Sequence, residues 1–490
     1  MRALFFSALA AVPVSHAASD PWRSAAAAGA VSVTESGASG LTWAARPAQS
    51  WLPISSLPGG AAISFNTSLP RQEVLGFGSC FTDTSAYNTQ VFMTAAVREE
   101  TVEAIWGESG LRASVMRMHI NSPDYAVHSY NFDNVTDDFA LLHFDHTLAY
   151  DQQRVVPLLR EATAKAASWG GAPLRLFGSP WSPPGWMKQN NNMINSLAVC
   201  LKEDTPSGSY KQAWADYILA WLQAYQGLGI TLWGLTPQNE PEARQQSFES
   251  CAYDVQHYVE WVGKYLGPTV LPHFPSLQIM AYDHNKRDAL TYAQAVAADA
   301  QANASTAGTA VHWYDYTATL GLDNLDAIHA LNPDKFILGT EACFLESLTF
   351  DFENTGFLYA ADIIGDLNHW VTGWVAWNSV LLEGTMFPES LGGPNHDNTT
   401  HFGDGLLFEF NASGTQRLVY QSAYWVRHSP LHSMRSTAHT LSHCHPRPPP
   451  FAPRSLATFP ASCALAPALW PPLAPQQWPA QTWSSFASAQ

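Results

Sequence analysis

Two glutamates stand where apolar runs of the chain break into polar residues. One is Glu240, in Thr236-Pro237-Gln238-Asn239-Glu240-Pro241; the other is Glu341, in Gly339-Thr340-Glu341-Ala342-Cys343. Each closes a short run of the kind that forms a buried strand. Facing carboxylates suit glycoside cleavage. One, protonated, donates to the leaving oxygen; the other, ionised, attacks the anomeric carbon, and a separation of about 5–5.5 Å gives retention. A close negative neighbour and partial burial are expected to raise the pKa of the acid. The competing reading is a pair of barrel-mouth salt bridges. Basic partners are scarce for it, with 24 Lys and Arg against 41 Asp and Glu.

Other run ends carry polar or aromatic groups: Arg117 through Asp124, Trp181, His312-Trp313-Tyr314, and Trp377-Asn378. Any one alone reads as packing; convergence on one rim would make them a site. Arg117 is open to two readings, a substrate-side residue or a structural ion-pair partner. Serine hydrolysis has no support, since no GxSxG elbow occurs. Cys343 follows Glu341 by two and reads as a small buried packing residue. His443-Cys444-His445 has the look of a metal triplet but lies in a low-complexity tail, so no metal is expected.

The elements that must position these residues follow a rhythm from about residue 72. Eight apolar runs (Val74–Phe81, Ala113–Ile120, Leu174–Trp181, Ile230–Pro237, Gln278–Tyr282, Thr309–Tyr314, Phe336–Thr340, Val371–Asn378) alternate with helical stretches such as Val91–Ile105, Tyr210–Gln226 and Tyr253–Tyr265. Alternation of strand and helix predicts parallel strands with crossovers, and eight units predict an α/β (β/α)8 barrel. Runs four and seven would then lie across the barrel from one another, with Glu240 and Glu341 at its C-terminal mouth. The alternative is a doubly wound open sheet. Gly76-Phe77-Gly78-Ser79-Cys80-Phe81 fails its GxGxxG pattern, and there is no P-loop.

The 490 residues suffice for a large barrel plus an accessory segment, and 46% apolar content supplies its core. Nineteen Trp suit stacking on sugar rings as well as packing. A formal charge of −17 disfavours nucleic acid and anionic membranes as partners. Residues 1–18, with Arg2 before an apolar stretch and His16-Ala17-Ala18 at its end, read as a secretory signal. No run is long enough for a transmembrane segment. Sequons at Asn66, Asn134, Asn303, Asn398 and Asn411 agree with a secreted or lysosomal glycoprotein. The six cysteines are scattered without zinc spacing and allow one unassigned bridge.

Residues 19–71 form an N-terminal β segment, with strand-like pieces at 31–34 and 62–65. Residues 72–430 form the catalytic barrel, and 431–490 a low-complexity tail expected to be disordered. From 436 onward the tail holds 11 prolines and only two charges, Arg447 and Arg454.

At these residues the chain resembles glycoside hydrolase family 30, most closely its glucosylceramidase (acid β-glucosidase) branch. The ordered segments that carry the resemblance begin with Gly76-Phe77-Gly78, Thr82-Asp83, Arg117 through Asp124, and Ser179 through Lys188. They continue with Gln238-Asn239-Glu240-Pro241, Val311-His312-Trp313-Tyr314, Thr340-Glu341-Ala342-Cys343, Gly373-Trp374, Trp377-Asn378 and Gly392-Gly393-Pro394-Asn395.

The resemblance implies retaining double displacement with Glu240 as acid/base and Glu341 as nucleophile, and no metal or organic cofactor. Asn239 would bond the sugar 2-hydroxyl. Asp124, Trp181, Trp377 and Asn395 would hold the remaining hydroxyls, and Tyr314 and His312 would position the nucleophile. A β-glucoside or glycosphingolipid is the implied substrate, with an activator protein or membrane-surface lipid as the partner the branch allows. An endo-β-1,6-glucanase or xylanase of the same family is the alternative, and an inactive carbohydrate-binding barrel a third reading.

The chain departs from the family at Gln238, where the best-known members carry a second glutamate, and in the Asn190–Ser209 loop bordering the entrance. It departs again at its end. Leu418–Ser429 reads as the last barrel helix, and the proline-rich tail stands where the family completes a β-sandwich, as a displaced reading frame would produce. The strands at 31–34 and 62–65 are therefore expected to lack partners.

Overall fold

The computed structural model describes residues 3–6, 30–37, 41–50, 69–314, 321–344, 355–382, 405–412, 415–420 and 424. Two compact units divide the chain: one includes Arg71–Leu431, the other Phe5–Thr34 and Ala45–Pro70. Three N-terminal strands, β1 (Ala3–Phe6), β2 (Ala30–Gly37) and β3 (Leu41–Ser50), form a sheet with β2 in the centre. The expectation of an unpartnered strand at 31–34 is thus corrected: flanking segments supply the pairing. Residues 62–65, the expected cleavage point near residue 18 and the tail from 431 lie outside the described residues.

Eight parallel strands close into a barrel: β4 (Gly76–Phe81), β5 (Val115–Ile120), β6 (Arg175–Pro180), β7 (Gly234–Leu235), β8 (Gln278–Asn285), β9 (Gly308–His312), β10 (Phe336–Glu341) and β11 (Val371–Leu382). Closure comes from β11, which pairs in parallel with both β10 and β4. Helices fill the connections, among them α1 (Ala95–Trp106), α2 (Val155–Ser168), α3 (Tyr210–Gly227), α4 (Val255–Glu260), α5 (Lys286–Ala298), α6 (Leu322–Leu331) and α7 (Phe357–Asn368).

Their starts are written locally. Thr94, Ser209 and Asp254 accept hydrogen bonds from the first-turn N–H groups of Val97, Gln212 and His257, satisfying donors that a helix N-terminus leaves open. In α3 the buried set Tyr210, Trp214, Tyr217, Ile218, Trp221, Leu222 and Tyr225 recurs at three- and four-residue spacing. That stripe faces the strands.

Side chains of a strand alternate between faces, so residues two apart share one. Val115, Phe177, Met280, Ala310, Leu338 and Val375 make a single apolar cluster within the barrel. Two residues further along the same strands come Arg117, Ser179, His312, Thr340 and Trp377, all buried. A dry floor therefore carries a polar layer above it.

Strand β8 breaks the alternation. Its register to β9 shifts between Tyr282 and His284, and both Tyr282 and Asp283 have φ of 78°. This bulge turns Tyr282 outward against Tyr292, at a ring distance of 4.8 Å. Asp283 faces inward in its place, as an extra residue in one strand requires.

At the first strand, a Cβ on Gly78 would run into the Val115 carbonyl of β5. Glycine is what lets those two strands meet.

Past the barrel, β11 continues and pairs in parallel with β12 (Gly405–Ala412), which folds back antiparallel onto β13 (Thr415–Tyr420). Gln416 accepts from the Thr94 N–H at 2.6 Å and donates to the Phe92 carbonyl at 2.8 Å, tying the hairpin beside the start of α1. Residues 418–420 are thus strand, correcting the start of the helix expected over 418–429; beyond them Tyr424 is helical. Leu406 and Leu407, fully buried, anchor the hairpin.

A disulfide joins Cys200 to Cys251. Beside it the buried Lys188 ammonium donates to the carbonyls of Met193, Asn195 and Ser250 at 2.6–2.7 Å. The Asn190–Ser209 loop is thereby pinned near its start and at its middle.

Candidate active site

Glu341 ends β10, just past a register shift against β9 that begins at Gly339. Tyr314 Oη donates to its Oε1 at 2.7 Å, and the Arg117 guanidinium pairs with its Oε2. Both carboxylate oxygens are therefore held, one of them by a permanent cation.

Arg117 is fully buried on β5 and fans its remaining N–H groups to Asn239 Oδ1 at 2.8 Å, Asp283 Oδ2 at 2.8 Å and Ser179 Oγ at 3.1 Å. Of the two readings left open for Arg117, the structure shows the ion-pair partner. The pair it makes with Glu341 orients that carboxylate. The indoles of Trp181 and Trp377 lie together beside it, with ring centres 4.6 and 5.4 Å from the guanidinium carbon.

Asp283 is the hub beneath. Its Oδ2 meets Arg117, Ser179 Oγ at 3.0 Å and Thr236 Oγ1 at 2.6 Å; its Oδ1 meets His312 Nε2 at 3.1 Å and Thr340 Oγ1 at 2.7 Å. Burial raises the carboxyl, but Arg117, His312 and the hydroxyl donors outweigh it and hold Asp283 well below the usual carboxylate range.

Residue-by-residue reading missed Asp283 and its neighbour His284, although the polar triplet Asp283-His284-Asn285 directly follows the run Gln278–Tyr282. Simple alternation from Met280 points to Tyr282 as the inward residue; the bulge moves the role one position on.

Glu240 sits in the loop after β7 with φ of 48°, its N–H bonded to the Asp283 carbonyl at 3.0 Å. Left-handed backbone at a non-glycine residue costs energy and concentrates at functional sites. Its Oε1 lies 3.4 Å from Nδ1 of His284 and 3.4 Å from Nδ1 of His312. His312 Nδ1 is also 3.8 Å from Glu341 Oε1, so one imidazole bridges the two glutamates. The expectation that His312 positions the nucleophile is refined: it lies nearer Glu240 and is fixed by Asp283.

The expected raised pKa of Glu240 is corrected. Burial does raise it, but two flanking imidazoles outweigh that effect and hold the carboxyl well below its ordinary value. For His312 burial opposes the charge, yet Glu341, Asp283 and Glu240 prevail and push it up to about 9. These groups titrate together, as close carboxylate–histidine sets do.

The other sequence-named residues line the same mouth. Trp181 and Trp377 stack at 4.9 Å and 23°, with Tyr125 edge-on to Trp377. Asp124, in the loop after β5, has a buried Oδ1 without a hydrogen-bond partner, and burial together with Glu341 and Glu240 pushes its pKa well up. Gln238 donates to the Trp181 carbonyl at 2.8 Å, a task a carboxylate could not perform. Asn395 lies outside the described residues. Cys343 is buried 3.5 Å from Tyr314 Oη. Glu240, His284 and His312 are the group whose donor atoms stand close enough to hold a metal, all within 4.8 Å.

The sequence profile of the glycosyl hydrolase family 30 TIM-barrel domain matches residues 74–422. A Caenorhabditis elegans relative carrying the name glucosylceramidase 4 is 31% identical over 372 residues, 74% of this chain and 67% of its own. The mouse lysosomal acid glucosylceramidase (Mus musculus) is 27% identical over 332 residues, 66% of this chain and 61% of its own. This chain thus spans about two thirds or less of the length of these relatives. Among solved structures, SrfJ from Salmonella typhimurium aligns with a TM-score of 0.65 at 23% identity, over 79% of this chain and 80% of its own, a likeness of fold.

Proposed function

We propose that this chain, which belongs to glycosyl hydrolase family 30, is a retaining exo-β-glucosidase acting on glucosylceramide or a related β-glucoside. The observation that carries the proposal is the unequal treatment of two neighbouring glutamates. Glu341 is clamped at both oxygens by Tyr314 and Arg117, while Glu240 meets only imidazoles that can pass it a proton. A clamped, ionised carboxylate is a nucleophile; a carboxylate with a proton store is an acid/base.

In the first step Glu341 attacks the anomeric carbon. The bond to the leaving oxygen breaks as that oxygen takes a proton from Glu240, which the flanking histidines have first protonated and which this step leaves ionised. In the second step Glu240 removes a proton from water, the water oxygen attacks the anomeric carbon, and Glu341 leaves. Asn239, oriented by Arg117, would bond the 2-hydroxyl, and Asp124, Trp181, Trp377 and Asn395 the far side of the ring. We assign residues 1–18 to export, towards a secreted or lysosomal destination. The Cys200–Cys251 bridge supports an oxidising compartment.

The test is hydrolysis of an aryl β-glucoside and of glucosylceramide at mildly acidic pH, followed by NMR. Glucose should appear first as the β-anomer, and Glu341→Gln should abolish release from both substrates. Initial α-anomer would overturn retention. A folded chain that cut only β-1,6-glucan or xylan would move the proposal to the endo-acting members of the family.

A further inference from the structure

The proposed acid/base role of Glu240 leaves an odd spacing unexplained. Both Nδ1 atoms that face its Oε1 do so at 3.4 Å. A nitrogen–oxygen hydrogen bond spans about 2.7–3.2 Å. Neither Nδ1 makes a hydrogen bond to any group, although both are buried from solvent. His312 itself is fully buried.

The two contacts to Glu240 match a different object, and all three donor atoms lie within 4.8 Å of one another. Donor atoms about 2.0–2.1 Å from a common centre, arranged tetrahedrally as zinc prefers, stand about 3.3–3.4 Å from one another. His312 is already oriented for such a centre. Its Nε2 is engaged by Asp283 Oδ1 at 3.1 Å, which leaves the Nδ1 lone pair free to face Glu240. A carboxylate behind a ligating imidazole is the usual support of a zinc-bound histidine. Charge points the same way. With neutral imidazoles, the carboxylates of Glu240, Glu341 and Asp283 face the single guanidinium of Arg117, an excess that a dication would cancel. Glu240 and His284 keep 13% and 15% of their side-chain surface exposed, so the fourth position of a tetrahedron would open towards solvent.

The geometry points to a zinc-type divalent cation site formed by Glu240 Oε1, His284 Nδ1 and His312 Nδ1, at which the metal takes the place of the catalytic proton and switches hydrolysis off. Two nitrogens and one oxygen suit Zn²⁺ and exclude the all-oxygen preference of Mg²⁺ and Ca²⁺. Binding requires only the three ligands. Inhibition rests in addition on the acid/base role proposed for Glu240.

The two parts are tested separately. Metal-stripped full-length chain, with His443, Cys444 and His445 changed to Ser so that the tail cannot compete, is titrated with ZnCl₂ by calorimetry. One Zn²⁺ per chain is expected, with binding weakened at least about tenfold by His284→Gln and by His312→Asn, each checked for an intact near-UV spectrum. Co²⁺ in place of Zn²⁺ should give the intense visible bands of a tetrahedral ion. No saturation below millimolar Zn²⁺ would overturn the site. So would affinity unchanged in both variants, or a faint octahedral Co²⁺ spectrum. In the activity arm Zn²⁺ should stop aryl β-glucoside hydrolysis, EDTA should restore it, and Mg²⁺ should do nothing. Stoichiometric binding with undiminished turnover would overturn the switch while leaving the site. A chain without glycosidase activity that still binds one Zn²⁺ would count against the catalytic reading alone.

Discussion

Asp283 reaches no substrate-facing position, yet each polar group of the site leans on it. It neutralises one side of Arg117, sets the tautomer of His312 and accepts from Ser179, Thr236 and Thr340. Asp283→Asn leaves a buried guanidinium short of one partner. Losing half of a buried pair costs roughly 3–5 kcal/mol, so thermal unfolding should shift down sharply. Turnover in the surviving folded fraction should fall because Glu341 and His312 lose their common reference. Glu240→Gln should behave differently. It should slow alkyl β-glucosides by roughly 10²–10⁴-fold and barely slow substrates with a leaving group as good as dinitrophenolate, with little change in melting temperature. Equal losses on both substrate types would remove Glu240 from the acid role. Glu240 and Glu341 were legible in the sequence because each stands just where an apolar run breaks into polar residues. Asp283 was not, since its inward direction depends on backbone geometry that residue types do not announce.

The elements were legible where periodicity is strong. All eight barrel strands lie within or against the apolar runs that predicted them, because a strand walled by helices outside and side chains inside must be apolar on both faces. The β12–β13 hairpin was missed. Leu406, Phe408 and Phe410 alternate ahead of Ser413-Gly414, a pattern that could have announced the hairpin. The contact between β4 and β5 yields a clean test. Gly78→Ala places a methyl group against the Val115 carbonyl, and overpacking of this kind costs about 1–3 kcal/mol. Denaturant midpoints should drop by that amount while the KM of the folded protein holds. A silent Gly78→Ala would show that β4 can shift freely. The Cys200–Cys251 bridge closes a separation of 51 residues, and its removal by paired Ser substitutions should cost about 4 kcal/mol. Lys188 and its three carbonyls would then hold the loop alone.

For the molecule as a whole, buried titratable groups pull stability towards acidic pH. His312 stands at about 9 in the folded chain against an ordinary value of 6.5. Its folded pKa is the higher one, so its contribution is complete below 6.5 and is lost as pH rises through about 9. Asp151, buried and held by Tyr225 and Tyr130, is raised by burial from 3.8 to about 7. It is protonated in the fold where the unfolded chain would ionise it, so stability falls as pH climbs from 3.8 to about 7. Asp283 and Glu240 act oppositely: their contribution is present above the ordinary carboxylate range and disappears in strong acid. The melting temperature should therefore peak in mildly acidic solution and decline towards pH 9. His312→Asn should flatten the alkaline half of that profile, and Asp151→Asn the part between pH 4 and 7. Profiles superimposable on the parent chain would exclude these two groups as the cause. The formal charge of −17 adds self-repulsion on the same alkaline side.

The bulge in β8 has one more consequence, and it concerns counting. Between Met280 on the apolar floor and Asp283 in the polar layer the chain carries one residue more than strict alternation allows. Direction in this strand is therefore set by number as well as by identity. Were the bulge ironed out at constant length, Tyr282 would turn into the site and the carboxylate that holds Arg117 and His312 would face the helices, with every named residue still present in the chain. Most substitutions at Ala281 or Tyr282 alter packing by degrees. Losing one residue there would instead restore the even count and keep the carboxylate inward by plain alternation.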